Sequence, residues 1–478
     1  MKKHYMIIDI GTGNSRVALV ASDGTILSIK TIENLYYMDQ YYEDAQSFSP
    51  SFWKQQILNL CKATIQEHPA ITIDAISSSA ARETIILIDK DGQDFFGLPN
   101  IDNRGKAWVH EIPNKEMIYQ KTGRWVSEDF PAMKLYGLRK ARKDVFDRVY
   151  SFTSLSEWMS YIFTDKLVIE PSQACETQLY DIEKKEWSLQ LLSCYQLEHI
   201  ALPELVKGGE QIGNISEQIK KVLQITYDIP FIIGGGDTQV AAIGAGIKLH
   251  DIGIISGTTS PIITLQERYF YDKQQRCWVD SFIGGDVYQV ETNPGVTGLN
   301  YQRIRSVLFP DVSYDDLEAA LQEVTDIKCI ASFSSLDFEH GKGFSSGGFF
   351  MRPPFHPHLH RIDMAWAVVA DIACSIYEQY QNLKQITKVE ESYLLGCGGG
   401  FQSKMLCQHI ANLTNKELRL PQGFQQSSVL GCLALCNQHF NIQRTKKQME
   451  CKVFTPVSSS LIHQYCETWK DYRKKINQ

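Results

Sequence analysis

Short apolar runs that end in glycine turns recur along this chain. The first covers residues 5–8 and leads through Asp9 to a turn at residues 11–13, after which residues 17–20 are again apolar. Two apolar stretches of this length around a glycine turn predict a β-hairpin. Asp23-Gly24 predicts a second tight turn, which leads into a third strand.

Helical periodicity follows further along each half of the chain. Apolar positions at helical spacing predict helices over residues 50–67 and 361–383, and β-rich apolar runs predict strands at 71–77, 228–233 and 393–395. The last two strands lead into runs of glycine. Strands that alternate with helices predict α/β domains built on parallel sheets.

The glycine hairpin near the start has a counterpart halfway along the chain. Residues 253–263 repeat the order of strand, glycine turn and strand, and placing Gly11 on Gly257 gives an offset of 246 residues in a chain of 478. A chain of this length is too long for one hydrophobic core. We therefore predict two related domains, residues 1–247 and residues 248–478.

Composition narrows the class of protein. Apolar residues make up 43% of the chain and charged residues 22%, and the net charge is −7, which argues against a nucleic-acid scaffold. No run approaches ~18 consecutive apolar residues, so we expect no membrane span. Twelve cysteines without zinc-type spacing or the density of a disulfide scaffold predict a reducing, cytoplasmic location.

The first glycine turn carries groups that suit a phosphate. Its two glycines let backbone N–H groups approach a ligand closely, and Thr12, Asn14 and Arg16 add donors. Asp9, at the end of the strand, suits a hydrated Mg²⁺ ion. The alternative is an ordinary hairpin with an Asx turn.

Asp237 follows three consecutive glycines and opens an apolar helix. A helix N-cap is the simplest role for an aspartate at this place. Three glycines exceed what a cap needs, and we expect them to clear space for a ligand beside the carboxylate. A carboxylate in a cleft can accept the proton of an attacking hydroxyl group, which makes Asp237 a candidate general base.

A third glycine run, residues 398–400, again connects a strand to a helix. Glycines at such a turn present a flat backbone surface that suits a nucleotide. The run is neither a Walker motif nor GxGxxG. Four glycine turns at strand ends, two of them in the half-chain repeat, are stronger evidence for a phosphate-binding cleft than any one of them.

These turns together resemble the ordered motif set of the FGGY carbohydrate kinases. The matching segments are Asp9-x-Gly-Thr-x-x-x-Arg16, Gly234-Gly-Gly-Asp237, Ser256-Gly-Thr258 and Gly398-Gly-Gly-x-x-Ser403. The resemblance runs from residue 9 to Gly431. It implies two actin-like (ribonuclease-H-like) ATPase domains around an active-site cleft, and an ATP-dependent kinase acting on a sugar or polyol hydroxyl group.

The resemblance also implies a role for each matching residue. Asp237 would be the catalytic base, and Asp9 and Asp237 would hold Mg²⁺. The residues expected to bind ATP are Gly11, Thr12, Gly13, Asn14 and Arg16 in the first turn, Gly257 and Thr258 in the second, Gly298 and Gln302 in the cleft, and Gly399, Gly400 and Ser403 beside adenosine.

The acceptor side is expected to include Arg82, Glu83, Asp102, Thr238 and Asp237. The Arg82-Glu83 pair resembles glycerol kinases and autoinducer-2 kinases, although a plain surface ion pair is the alternative. Glycerol kinases usually place tryptophan at position 100, where this chain has asparagine, which argues against glycerol.

The Asn-Ile-Asp-x-Arg segment at residues 100–104 is closer to autoinducer-2 kinases. We therefore expect a dihydroxypentanedione-like or short ketose acceptor, with xylulose, ribulose, glycerol or erythritol as alternatives. A non-catalytic sugar or nucleotide sensor and an actin-like ATPase are alternatives of another class. The expected partner is a small sugar or polyol, without nucleic acid or membrane, and the sequence leaves open whether the chain forms a homodimer.

Overall fold

The hairpin at the start of the chain lies at the centre of a six-stranded sheet. The computed structural model describes residues 2–39, 42–337, 342–343, 346–443 and 450–476. The sheet has the order β5-β6-β4-β1-β2-β3, with β4 and β6 parallel to β1 and the other pairs antiparallel. Its strands are β1 (His4–Ile10), β2 (Asn14–Ala21), β3 (Ile26–Glu33), β4 (Ala75–Ala80), β5 (Gln211–Asn214) and β6 (Pro230–Gly236).

The second sheet repeats this arrangement and adds one strand at an edge. Its order is β9-β10-β8-β7-β11-β12-β13, and from β10 to β13 the pairing directions repeat those of the first sheet from β3 to β5. This duplication confirms the predicted fold class. The strands are β7 (Ile252–Ile255), β8 (Ile262–Gln266), β9 (Trp278–Ser281), β10 (Tyr288–Thr292), β11 (Tyr393–Cys397), β12 (Glu417–Pro421) and β13 (Cys451–Phe454).

Helices and short strands complete the fold. The α-helices are Pro50–Glu67, Lys115–Thr122, Pro131–Ala141, Lys143–Phe146, Leu155–Thr164, Pro171–Glu176, Leu189–Cys194, Glu217–Leu223, Asp237–Ala245, Gly298–Leu308, Tyr314–Gln322, Arg361–Thr387, Lys404–Thr414, Ser427–His439 and Ser460–Ile476. The 3₁₀-helices are Lys106–Glu111, Gly399–Gln402 and Phe424–Gln426. The short strands are Tyr37–Met38, Gln46–Ser47, Ile85–Ile88, Asp94–Leu98, Ser151–Ser154, Val168–Ile169, Tyr180–Asp181, Glu186–Trp187, Glu204–Leu205, Ile330–Ser332, Leu336–Asp337, Lys342–Gly343 and Gly348–Phe350.

Residues 5–8 of strand β1 are all apolar because both faces of the first sheet are covered. Met6 and Ile8 pack with the helices Pro50–Glu67 and Leu155–Thr164, whereas Tyr5 and Ile7 pack with the helix Ser427–His439. A strand buried on both faces shows a continuous apolar run instead of alternation. This is why residues 5–8 do not alternate between apolar and polar.

The predicted elements agree with the structure except at some of their ends, and the helix predicted over 361–383 runs to Thr387. The helix predicted over 50–67 is Pro50–Glu67, capped by the Ser49 hydroxyl group. The strand predicted over 71–77 is instead β4, because Ser78 and Ser79 are buried strand residues despite their polarity. Ser78 satisfies its hydroxyl group by donating to the carbonyl oxygen of Ser156, 2.8 Å away.

Two helices join the halves of the molecule. The Asp237 helix (Asp237–Ala245) packs against the Ser427 helix (Ser427–His439) at glycine contacts, since a Cβ on Gly244 would lie 2.0 Å from the Ser427 carbonyl oxygen. The Ser427 helix also contacts the first sheet, where Tyr5 donates to Asn437 over 3.0 Å. The Ser427 helix, which belongs to the predicted second domain, therefore packs on the first sheet. The domain boundary between residues 247 and 248 stays a prediction.

Candidate active site

Three parallel strands of the first sheet end at the same level. Ile10 and Gly236 both pair with Ala80, so the ends of β1, β4 and β6 are neighbours. In open α/β sheets, ligands bind outside the carboxyl ends of the strands. This edge brings together Asp9, Arg82 and Asp237, which the sequence places far apart.

Asp237 is the most open of these three charged side chains. Its side chain is 39% exposed, against 8% for Arg82 and 4% for Asp9. It is the first residue of its helix, and Gly236 occupies the N-cap position. Its Oδ1 accepts a hydrogen bond from the Thr238 backbone N–H at 2.7 Å and lies 3.9 Å from Arg82 Nε. The carboxylate therefore does not act as the helix cap and faces the cleft.

The surroundings of Asp237 favour proton transfer near neutral pH. Its burial among protein atoms raises the pKa of the carboxyl group to about 6, Arg82 opposes this rise, and Glu83 and Asp9 add to it. A carboxyl group with a pKa near the working pH is well suited to act as a general base.

The three glycines before Asp237 have a different role from the predicted one. A Cβ on Gly234 would lie 1.8 Å from the Ser78 carbonyl oxygen, and one on Gly235 would lie 2.4 Å from Ile283 Cδ1. A Cβ on Gly236 would meet Gln239 Oε1 at 2.6 Å. The glycines allow β6 to pack closely against its neighbours, and they do not clear space for a ligand.

Arg82 is not part of a surface ion pair with Glu83. It is buried, and its guanidinium group binds the carboxylate of Glu291 from the second half through two hydrogen bonds, of 2.7 and 3.1 Å. Sequence reasoning missed Glu291, which stands 209 positions from Arg82. Only the folded arrangement of the two sheets brings them together.

Glu83 lies beside Arg82 in a strained backbone conformation. Its φ is 58°, a region that non-glycine residues rarely adopt and that occurs often at functional sites. Lys134 holds this turn by donating to the Glu83 carbonyl oxygen at 2.7 Å. The side chain of Glu83 is half-buried at the same edge as Asp237.

Asp102 is placed differently from the expectation that it faces the acceptor. Its side chain is fully buried, with Oδ1 accepting from the Gln46 backbone N–H and Oδ2 accepting from Arg104 Nε. Burial raises the pKa of Asp102, while Arg104 opposes the rise. In this arrangement Asp102 supports the loop and is not open to the cleft.

Asn100, the first residue of the segment 100–104, is tied to the first glycine turn by polar contacts. Its amide donates to Thr12 Oγ1 at 2.9 Å, and its backbone N–H donates to Thr84 Oγ1 at 3.0 Å. Asn34 and Tyr36 donate to the Thr12 carbonyl oxygen from the other side. Position 100 is thus polar and linked to the first glycine turn.

The first glycine turn is open on the side of the cleft. Asn14 and Gly13 are exposed, and a Cβ on Gly13 would meet no atom within 4 Å. The Gly11 backbone N–H closes the turn by donating to the Asn14 carbonyl oxygen. Because the protein itself does not require glycine at position 13, the open space fits a ligand that approaches the backbone.

Asp9 and Arg16 lie at the base of this turn. They are paired across β1 and β2, and Arg16 Nη2 lies 3.2 Å from Asp9 Oδ2. Ser428 donates to the same oxygen at 3.0 Å, and Arg16 also donates to Gln426. The first turn is therefore attached to the segment that begins the Ser427 helix.

The second half presents its own pair of turns. Gly257 and Thr258 are exposed, and a Cβ on Gly257 would meet no atom within 4 Å. Gly399 is also exposed, whereas Gly400 packs against Ser256 and donates from its backbone N–H to the Ser256 carbonyl oxygen at 2.9 Å. The two turns thus lie side by side at the ends of β7 and β11.

The remaining predicted nucleotide residues differ in their surroundings. A Cβ on Gly298 would lie 2.1 Å from the Gly257 carbonyl oxygen, so this glycine permits close packing against the turn. Gln302 is exposed one helical turn further on. Ser403 is the N-cap of the helix Lys404–Thr414, and its hydroxyl group accepts from the Leu406 backbone N–H.

The carboxylates at the first edge fit a hydrated magnesium ion. The described contacts of Asp9 use Oδ2, which leaves Oδ1 available, and Asp237 is open to the cleft. Among the residues that the structure describes, no three His, Cys, Asp or Glu side chains form a group that could hold a metal ion. An ion held by two carboxylates would keep several water ligands, as Mg²⁺ usually does.

No helix within the described part of the chain combines the length and the apolar character needed to cross a membrane.

Comparison with known proteins identifies the family. The model of the N-terminal domain of the FGGY family of carbohydrate kinases matches residues 4–244, and that of the C-terminal domain matches residues 347–438. The chain therefore belongs to the FGGY family of carbohydrate kinases. These enzymes are ATP-dependent phosphotransferases with sugar hydroxyl acceptors, and this protein is a sugar kinase of that class.

Individual relatives agree with this assignment. The chain is 36% identical over 475 residues to "Putative sugar kinase YoaC" of Bacillus subtilis (strain 168), covering 99% of this chain and 97% of the relative. It is 21% identical over 452 residues to the autoinducer-2 kinase of Salmonella typhimurium (strain LT2), covering 90% of this chain and 85% of that protein.

A solved structure confirms the fold. Ligand-bound xylulose kinase from Lactobacillus acidophilus superposes with a TM-score of 0.84 at 21% identity, covering 99% of this chain and 98% of that chain. Membership in a family of carbohydrate kinases leaves no support for a non-catalytic sensor or for an actin-like ATPase without a small acceptor.

Proposed function

We propose that this kinase transfers the γ-phosphoryl group of ATP to a hydroxyl group of a small linear sugar, with Asp237 as the general base. The observation that carries the proposal is the position of Asp237. It is a partly exposed carboxylate at the meeting point of three strand ends, and the surrounding protein atoms raise its pKa to about 6 against the opposing effect of Arg82. Arg82 and Glu83 lie beside it and would bind further hydroxyl groups of the acceptor.

The phosphates of ATP would lie between the open glycine turns of the two halves. Gly13 and Gly257 both leave room where a side chain would stand, and the hydroxyl groups of Thr12 and Thr258 lie next to them in sequence. Backbone N–H groups directed at phosphate oxygens stabilise negative charge. Gly399, Gly400 and Ser403 would contact adenosine.

The transfer step follows from this arrangement. Asp237 would take the proton of the acceptor hydroxyl group as its oxygen forms a bond to the γ-phosphorus, and the bond from that phosphorus to the bridging oxygen of ADP breaks. The proton then resides on Asp237 and is released to solvent when products leave. Arg16 and the glycine-turn amides would offset the charge on the phosphates. Bound Mg²⁺, held by Asp9 and Asp237, would neutralise phosphate charge.

The acceptor proposed is a short, oxygen-rich chain such as dihydroxypentanedione or a ketose. Asn100 supports this choice, because a polar residue tied to Thr12 and Thr84 replaces an apolar wall next to the acceptor. The relationship to autoinducer-2 kinases over most of the chain also supports it. Xylulose, ribulose, glycerol and erythritol are the competing acceptors.

A panel of acceptors tests the proposed substrate. ADP release would be followed with dihydroxypentanedione, xylulose, ribulose, erythritol and glycerol at matched concentrations. We expect the highest kcat/KM with dihydroxypentanedione or a five-carbon ketose. A preference for glycerol would contradict the interpretation of Asn100, and the variant Asn100→Trp provides the matched comparison because it should move the preference towards glycerol.

The pKa of Asp237 predicts the pH dependence of the reaction. The base must be ionised to accept a proton, and its raised pKa of about 6 means that ionisation is lost as the pH falls through that value. We expect kcat/KM to be level above pH 7 and to fall about tenfold per pH unit well below pH 6. Coupling enzymes should be checked by adding ADP at each pH. A profile that stays level down to pH 4.5 would contradict the assignment, because a base with this pKa must lose activity as the pH falls below 6.

A further inference from the structure

Five charged side chains from both halves meet in a buried cluster beside Asp237. Arg82, Arg124 and Glu176 come from the first half, and Asp280 and Glu291 from strands β9 and β10 of the second. None of these side chains is more than 8% exposed. We refer to these five residues as the charge cluster.

Arg82 uses most of its guanidinium group within the charge cluster. Nη1 and Nη2 donate to the two carboxylate oxygens of Glu291 at 2.7 and 3.1 Å, and Nη1 also lies 3.5 Å from Glu176. A two-bond pair of this kind fixes the plane of the guanidinium group. None of its described hydrogen bonds uses Nε, which is directed towards Asp237 and lies 3.9 Å from Oδ1.

Glu291 is itself held firmly in the second sheet. Asn293 donates to its Oε1 at 3.0 Å, and Gln289 donates to its Oε2 at 3.3 Å. Although burial raises the pKa of Glu291, the attraction of Arg82 holds it below its ordinary value, so this residue is a carboxylate. The position of Arg82 therefore depends on a strand of the opposite half.

Stability alone does not explain this pair. A buried ion pair often contributes little to stability, because removing two charges from water costs about as much as their attraction provides, and apolar replacements of such a pair can even stabilise a protein. The fixed direction of Arg82 is the consequence that bears on the reaction, since its Nε, which takes part in none of the described hydrogen bonds, lies 3.9 Å from Asp237 Oδ1.

We propose that Glu291 is a positioning residue for the acceptor, which holds Arg82 from the second half so that its Nε edge faces Asp237 and the acceptor hydroxyl group. Acceptor binding on the first half then requires the second half, which carries Glu291, to be positioned correctly against the first. This inference rests on the proposed role of Arg82 and Asp237 at the acceptor site, and it does not depend on which sugar is the acceptor.

The neighbouring pair Arg124–Asp280 offers a matched control. Arg124 donates from Nε and Nη2 to both oxygens of Asp280, at 2.9 and 2.8 Å, in an equally buried position. The described contacts of Arg124 do not include Asp237, and Asp280 lies 3.9 Å from Arg82 without a hydrogen bond. Asp280→Asn therefore removes a buried charge from the same charge cluster and leaves the Arg82–Glu291 pair in place.

The test compares Glu291→Gln, Glu291→Asp and Asp280→Asn in the full-length protein. The acceptor is whichever sugar of the panel the wild type phosphorylates best. We expect both Glu291 variants to raise KM for the acceptor at least about tenfold, while KM for ATP and ATP hydrolysis without acceptor stay within about twofold. Asp280→Asn should keep the acceptor KM within about threefold, even if its melting temperature falls as much as that of Glu291→Gln. Equal changes in acceptor KM for Glu291→Gln and Asp280→Asn, or an unchanged acceptor KM in the Glu291 variants, would overturn the proposal.

A double variant guards against loss of folding. Arg82→Met with Glu291→Leu removes both charges and should fold, because no unpaired charge of this pair is left buried. If Glu291 acts only through Arg82, the double variant should show the same acceptor KM as Arg82→Met alone. Independent, additive effects would contradict the positioning role. A preference for an unexpected sugar would contradict the proposed substrate and would leave this comparison intact.

Discussion

Asp237→Asn should lower kcat by about 10³-fold or more while the dissociation constant for ATP, measured without Mg²⁺, changes by less than about threefold. The amide keeps the size and position of the side chain, and its oxygen can still accept from the Thr238 backbone N–H. It cannot take the proton of the acceptor hydroxyl group. The loss should therefore appear in the chemical step, measured as ADP formation in a single turnover at saturating ATP and acceptor.

Asp228→Asn is the matched control for this variant. Asp228 lies just before the opposite end of β6, where it forms an exposed ion pair with Lys220. Such pairs contribute about 0–1 kcal/mol, so this variant should have wild-type turnover and a nearly unchanged melting temperature. Near-normal turnover by Asp237→Asn would rule out Asp237 as the base, whatever the substrate.

Local sequence features predicted the parts of the fold that depend on neighbouring residues. Apolar runs, glycine turns and helical spacing indicated both hairpins and the helix Pro50–Glu67, and the half-chain repeat indicated two similar sheets. Strand ends were less accurate, because Ser78 and Ser79 in β4 are polar yet buried. Polarity misleads where a hydroxyl group finds a partner inside the protein, as Ser78 does.

The acceptor side could be predicted only in part. Arg82 and Glu83 were predicted from the resemblance of their segment to the family's motif, but the direction of Arg82 depends on Glu291, which lies in another sheet. Asp102 was assigned from its place in a motif, and only the structure reveals Arg104 and the Gln46 backbone around its carboxylate. Contacts between distant segments decide whether a charged residue faces a ligand or supports a loop.

The glycine turns illustrate the same limit at a finer scale. From the sequence, every glycine turn was predicted to be a place where a ligand can approach. The structure separates glycines that close packing requires from glycines with open space beside them. A Cβ would collide with backbone at Gly234, whereas it would meet nothing within 4 Å at Gly13 and Gly257. Gly234 is needed for packing. Packing does not require glycine at positions 13 and 257, where the open space fits a ligand.

This distinction makes Gly13→Val informative about the phosphate site. The added side chain has space in the protein without ligand, and Gly13 has no positive φ that would strain it, so the melting temperature should change little. The same side chain would occupy the volume proposed for the ATP phosphates. We expect KM for ATP to rise at least about tenfold, corresponding to the loss of roughly 1.4 kcal/mol of binding free energy.

Gly348→Val is the control for Gly13→Val, because Gly348 is equally open but belongs to the small sheet formed by Ile330–Ser332 and Gly348–Phe350. It should leave KM for ATP unchanged. Gly234→Ala should behave in the opposite way, with a lower melting temperature because its Cβ would lie 1.8 Å from the Ser78 carbonyl oxygen. If Gly13→Val folds normally and binds ATP as tightly as the wild type, the phosphates do not lie against this turn, and the Gly257 turn of the second half would have to hold them without it.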